Sequence, residues 1–139
     1  MRFPFLIILP ACLFATAAAA QAEAEQPFRV FFDWAKPELT RDAQATLDEA
    51  VAGYQRLRPG RIAVAGHTDR SGSSGHNLAA SRRRAEAVKA YLVRHGVPAS
   101  AITLSALGES RPIVPTEDGV REAQNRRVEI SFKGAAASP

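Results

Sequence analysis

The sequence predicts an α+β domain in which strand, helix, strand, helix, strand and strand follow in turn (βαβαββ), giving a mixed sheet with two helices on one face. Three observations predict it. Apolar and polar residues alternate near both ends of the domain, apolar residues recur at three- and four-residue spacing in two longer stretches between them, and glycine or proline closes each of those stretches. With 139 residues, 46% apolar and 23% charged, the chain has room for one globular domain and falls outside the disordered range. It contains no internal repeat.

Phe28, Val30 and Phe32 share one face of the first strand and Arg29, Phe31 and Asp33 the other, so this strand ends on a carboxylate. Thr40 caps a helix whose apolar side is Ala43, Leu47, Ala50, Val51, Tyr54 and Leu57, and Pro59-Gly60 stops it. Ile62 to Ala65 form a short buried strand that runs into Gly66-His67-Thr68-Asp69. Residues 70–75 read as a flexible turn, and a second helix runs from Asn77 to about His95, stopped by Gly96 and Pro98. Ile102 and Leu104 lie in a third strand. The 18 residues from Gly108 to Asn125 form a connection broken by Pro112 and Pro115, with Gly119 to Gln124 able to supply a short helix. Val128, Ile130 and Phe132 alternate in a last strand.

Ahead of this domain, Met1-Arg2, the mostly apolar run Phe3 to Phe14 and the small residues Ala15 to Ala20 have the layout of an export signal. Residues 1–20 are therefore expected to be a signal peptide cleaved after Ala20, with Ala22 as the competing site. Residues 21–27 are a lead-in, 28–133 the domain and 134–139 a small-residue tail. The single cysteine, Cys12, lies in the apolar run, which leaves the domain without thiol or disulfide. Leu9-Pro10-Ala11-Cys12 loosely matches a lipoprotein processing site, so a lipid anchor at Cys12 is the alternative to cleavage. Loss of residues 1–20 removes Arg2 and takes the formal charge from +4 to +3. Such a balance suits polyanionic surroundings without requiring them.

The chemistry concentrates around Asp69. On a helix turning ~100° per residue, Asn77, Ser81, Arg84 and Val88 share one arc, whereas Arg82 and Arg83 point elsewhere. A shielded arginine needs an anionic or strongly polar partner. Asp69 and Arg84 can pair only with each other, or Asp69 can merely fix its turn by accepting backbone N–H groups. Alternatively they stand apart and receive a zwitterion, carboxylate to ligand ammonium and guanidinium to ligand carboxylate.

Counted from Asp69, this chain has Gly72 at plus three, Asn77 at plus eight, Ser81 at plus twelve and Arg84-Ala85 at plus fifteen and sixteen. Phe32-Asp33, Gly108-Glu109 with Pro112, and Asn125-Arg126-Arg127-Val128-Glu129 complete a pattern that spans residues 28–133. In this it resembles the OmpA-like (OmpA C-terminal) peptidoglycan-binding domain family. The resemblance implies that Asp69 and Arg84 hold the ammonium and carboxylate of the diaminopimelate side chain of the peptidoglycan stem peptide. It also implies that Thr68 and Asn77 line the same site and that Asp33 and Arg126 lie near it. Asn125 and Arg127 are expected to tie the long connection to the last strand. Two positions depart from the pattern: Ala80 stands where leucine is usual, which predicts looser packing under the helix, and Ala106 replaces the first glycine of a Gly-x-Gly-Glu run, which bears on the path of the Gly108 loop.

Other function classes fit less well. His67, Asp69 and His76 could suggest a metal-assisted hydrolase, but three histidines, no cysteine in the domain and no second paired carboxylate supply too few ligands. The chain is therefore read as non-enzymatic, with no metal and no cofactor. The run Arg82-Arg83-Arg84 could suggest nucleic acid, yet its side chains splay and aromatics are few. A flagellar-stator fragment would need an ionisable residue in a retained span, and Phe3 to Ala20 carry none. The expectation is an exported protein of the periplasm, associated with the outer membrane, that binds diaminopimelate-type peptidoglycan noncovalently and links the wall to the outer envelope. The sequence leaves its oligomeric state open.

Overall fold

A computed structural model describes residues 26–134. The expected signal peptide (1–20), Cys12, most of the lead-in and nearly all of the tail lie outside the described residues. The elements are β1 (Phe28–Phe31), α1 (Arg41–Leu57), β2 (Arg61–Gly66), α2 (Ser74–Arg94), β3 (Ile102–Ala106) and β4 (Arg127–Lys133). Single 3₁₀ turns at Ala99–Ala101 and Ala123–Asn125 precede β3 and β4. The sheet order is β1-β4-β2-β3, with β4 antiparallel to both neighbours and β2 parallel to β3. This is the expected βαβαββ mixed sheet. The crossover from β2 through α2 to β3 is what permits the parallel pair.

Alternation decides which face of the sheet the helices cover. Val30, Phe32, Ile62, Val64, Val128 and Ile130 are buried, and they form one cluster with Leu47, Ala50 and Tyr54 of α1 and Ala85, Val88 and Leu92 of α2. The opposite face carries Arg29, Phe31, Thr103 and Ser105 into solvent. Both helices thus pack on one side. Thr40 caps α1 by accepting from the Ala43 amide, as its residue type predicts.

Two boundaries and one burial differ from the sequence reading. β1 stops at Phe31 and not at Asp33, although the Phe32 amide still donates to the Arg126 carbonyl at 2.9 Å. α2 begins at Ser74 because the Ser73 hydroxyl accepts from the His76 amide and caps it three residues early. Leu57 is 42% exposed: it is the last helical residue before Arg58 in the left-handed region, and the last turn reaches the core through Tyr54 instead.

Two glycines set the distance between sheet and helix beside Asp69. A Cβ added to Gly66 would lie 2.1 Å from the Ser81 carbonyl oxygen, so the end of β2 lies directly against α2. Gly108 has φ +56° and would bring a Cβ to 3.3 Å from the Leu78 backbone, a position that favours glycine on both counts. Ala106, the departure from the family pattern, ends β3 opposite Gly66, and the loop after it is still fixed. The Leu107 amide donates to the Gly66 carbonyl, the Thr68 amide to the Gly108 carbonyl and the Gly108 amide to the Ser81 hydroxyl. Gly66→Ala is expected to destabilise the domain by about 2–3 kcal/mol through overpacking, measured by denaturant unfolding. A variant as stable as the parent would mean that strand and helix separate without cost.

Candidate functional site

The turn that leaves β2 places His67, Thr68 and Asp69 in succession, and all three are buried. The His67 amide donates to the Arg127 carbonyl, which extends the β2–β4 ladder one residue past the strand. Asp69 is 3% exposed. Its Oδ1 accepts from the Ser71 amide at 3.1 Å and the Ser71 hydroxyl at 2.5 Å. Its Oδ2 accepts from Arg126 Nη1 at 2.9 Å and the Glu122 amide at 3.2 Å. Burial alone would raise the Asp69 pKa, but the hydrogen bonds from Ser71, Arg126 and the Glu122 and Ser71 amides outweigh it and hold the carboxyl below its ordinary range.

Arg84 projects from the buried side of α2 together with Asn77, Ser81 and Ala85, while Arg82 and Arg83 are exposed. That division is the one the helical angles predict. The guanidinium donates to the Lys36, His67 and Asp33 carbonyls over 3.3–3.4 Å and lies 5.5 Å from the Phe32 ring centroid. Ala35, at φ +58°, sits in the left-handed region uncommon for alanine, between the two residues, Asp33 and Lys36, whose carbonyls meet Arg84. Burial and the charge of Arg126 lower the Arg84 pKa, and Asp69 opposes them; the group stays ionised. Among the described residues Arg84 makes no ion pair, and it does not pair with Asp69.

A cavity of about 90 Å³ lies between them, lined by Thr68, Asp69, Ser71, Asn77, Ala80 and Arg84 among others. Thr68 Oγ1 and Asn77 Nδ2 are buried there without a hydrogen-bond partner among the described residues. Four of the six sequence-predicted residues, Asp69, Arg84, Asn77 and Thr68, therefore meet at one cavity. Ala80 sits in the same wall, so the position where leucine is usual borders the cavity. Asp33 and Arg126 instead line a neighbouring groove of about 470 Å³ with Arg29, Phe31 and Gln124. They reach the site indirectly, Asp33 through its carbonyl to Arg84 and Arg126 through its pair with Asp69. Among the described residues the larger groove has no buried unpartnered side-chain polar atom, so the smaller cavity has the stronger claim to a charged ligand.

Asn125 and Arg127 hold the long connection, as expected. Asn125 Oδ1 accepts from the Ile113 and Val114 amides, its Nδ2 donates to the Val114 carbonyl, and Arg127 Nη2 donates to the Arg111 carbonyl. Arg70, which the sequence places only in a flexible turn, donates to the Thr116 carbonyl and pairs with Asp118. Ser71, Trp34 and Arg121 were also missed: the indole N–H donates to Ser71 Oγ at 3.2 Å, and the Arg121 guanidinium stacks 3.5 Å from the indole centroid. A polar side chain two residues after Asp69 was the available signal. His76 is exposed at the cavity rim and His95 ends α2, its Nδ1 2.8 Å from the Tyr91 carbonyl. Among the described residues no group of three or more His, Cys, Asp or Glu could hold a metal.

Comparisons with known proteins agree with the fold. The model of the OmpA family matches residues 31–126. An outer membrane protein of Gluconacetobacter diazotrophicus is 45% identical over 109 residues, covering 74% of this chain and 29% of that protein. The peptidoglycan-associated lipoprotein of Rhizobium meliloti is 34% identical over 128 residues, covering 88% of this chain and 72% of that protein. The C-terminal domain of Helicobacter pylori MotB superposes with a TM-score of 0.67 at 27% identity, covering 79% of this chain and 85% of that one. The chain spans less than half the length of the outer membrane proteins it matches. It belongs to the OmpA family, a non-enzymatic one.

His67 gives the site a pH signature. Burial, reinforced by the charge of Arg127, pushes its pKa from 6.5 down to about 4, with Glu129 opposing. The unfolded chain therefore takes up the proton first. The His67 contribution to stability is complete above pH 6.5 and declines as pH falls to about 4. Its size is on the order of 2–3 kcal/mol. Asp69 and Glu129, both depressed, add a further loss as pH drops below their ordinary values of 3.8 and 4.5. His67→Gln is expected to flatten the melting temperature between pH 6.5 and 4 while the loss at lower pH persists.

Proposed function

We propose that this member of the OmpA family binds peptidoglycan noncovalently through the diaminopimelate side chain of the stem peptide. Asp69 receives the ligand's ammonium and Arg84 its carboxylate, with Thr68 and Asn77 completing the wall. The observation that carries the reading is Arg84: a buried cation whose partners are three neutral carbonyls at long distance, on a cavity shared with a carboxylate. Such a cation favours an anionic partner strongly. Asn77 Nδ2, buried and unpartnered, offers the same ligand carboxylate a second donor.

The affinity of one site is modest, because each charge-assisted contact contributes about 1.5–3 kcal/mol. A polymer that repeats the ligand raises residence by avidity when the protein is tethered or oligomeric. The naming of relatives as outer membrane proteins and as a peptidoglycan-associated lipoprotein supports a place in the cell envelope. There the domain links the wall to the outer membrane after export and cleavage at Ala20. Mass spectrometry of the mature N-terminus tests that step: Gln21 is the expected first residue, and an acylated Cys12 would make the protein a lipid-anchored one instead.

Alanine variants at Asp69 or Arg84 confound binding with folding, since Asp69 accepts four hydrogen bonds and Arg84 is buried. Asp69→Asn and Arg84→Lys keep polar atoms in place and cost about 1–3 kcal/mol, leaving a cooperative melt. Both are expected to lose at least about tenfold in retention on purified diaminopimelate-type sacculi. Sacculi with lysine at that stem position, which lack the side-chain carboxylate, should retain the parent poorly. Parent-like sedimentation of both variants would remove Asp69 and Arg84 from the site.

A further inference from the structure

The Asp69 carboxylate has about four lone-pair positions, and four donors already occupy them: the Ser71 amide and hydroxyl on Oδ1, and the Glu122 amide and Arg126 Nη1 on Oδ2. An ammonium arriving at this carboxylate must therefore displace one of them. Three are held in place. The Ser71 amide belongs to the turn that closes on Asp69, and the Glu122 amide to a loop tied to the body by Asn125, Arg70 and Arg127. Arg126 is fixed a second time by its Nε, which donates to the Phe32 carbonyl at 3.2 Å. The Ser71 hydroxyl alone can leave by rotating about one side-chain bond.

Its surroundings favour the occupied state. Trp34 Nε1 donates to the same oxygen, so the hydroxyl proton is directed onto Asp69, and Arg121 stacked on the indole holds Trp34 at the cavity rim. We infer that the Ser71 hydroxyl is an exchangeable place-holder for the ligand ammonium and sets how tightly this chain holds an amino group at Asp69. The inference rests on the diaminopimelate reading above. Binding swings the hydroxyl off Oδ1, frees that acceptor position for the ammonium, and takes from the Trp34 indole N–H the oxygen it donates to.

The test is titration of the full chain with meso-diaminopimelic acid. Ser71→Ala keeps the backbone donor and removes only the competing hydroxyl, so it is expected to bind roughly three- to tenfold more tightly than the parent. Ser71→Thr, which retains a hydroxyl, should bind like the parent and so separates competition from any general change in the turn. The chain has one tryptophan, hence one indole N–H resonance. That resonance should shift on binding in the parent and much less in Ser71→Ala, where its acceptor is already gone. Equal or weaker binding by a folded Ser71→Ala overturns the place-holder role while leaving the diaminopimelate site standing. A parent that shows neither heat nor resonance shift overturns the site itself, and the place-holder with it.

Discussion

A single buried carboxylate joins three parts of the chain that sequence keeps far apart. Asp69 leaves β2, its Oδ1 closes the turn toward α2 through Ser71, and its Oδ2 takes the Glu122 amide and the Arg126 guanidinium. Burying such a charge is costly unless it is paired and hydrogen-bonded, and here every acceptor position is used. The same bonds that compensate burial therefore determine where the long loop and the start of β4 must lie. Arg84 depends on that placement, since the carbonyls it reaches belong to the β1–α1 segment and to the residue next to Thr68.

The two guanidiniums near Asp69 consequently have different roles. Arg126 neutralises the carboxylate from the side of the larger groove and is anchored by a backbone carbonyl. Arg84 faces the cavity with its charge uncompensated by any ion pair among the described residues, and the nearby charge of Arg126 adds to the strain of its burial. One carboxylate between two guanidiniums leaves a local excess of one positive charge. The zwitterion proposed above would leave that balance unchanged.

Local chemistry made much of this legible. The helical angle of Arg84 against Arg82 and Arg83, the Thr40 cap and the stop at Pro59-Gly60 follow from residue type and short-range spacing, whereas the structural roles of Asn125 and Arg127 came from the family resemblance. Long-range pairing did not. The insertion of β4 between β1 and β2 leaves no local trace, and Arg126 finds Asp69 across 57 positions in a sequence that offers several arginines. Ser73 was passed over as a cap because 71–75 is a run of serines and glycines, any of which could begin a helix. The Trp34–Ser71 contact was invisible for the same reason as the Arg126 pair: a tryptophan just past a strand reads as core or surface until the facing loop is placed.

The energetics of exchange separate the two halves of the proposed ligand. At Asp69 the proposed ammonium would gain a charge-assisted bond but displace the Ser71 hydroxyl, whose 2.5 Å bond to the carboxylate is itself charge-assisted, so its net contribution would be smaller than that of one such bond. At Arg84 the proposed carboxylate would meet a cation whose existing bonds are long and neutral, and Asn77 Nδ2, without a hydrogen-bond partner among the described residues, would add a donor. On the proposed reading the larger share of affinity would come from the carboxylate half, with the ammonium half supplying orientation. Because both charges sit in a recess with little solvent access, salt screens them less than an exposed pair. On the proposed reading such a recess would discriminate between stem peptides that differ by one carboxylate even where each single attachment is weak.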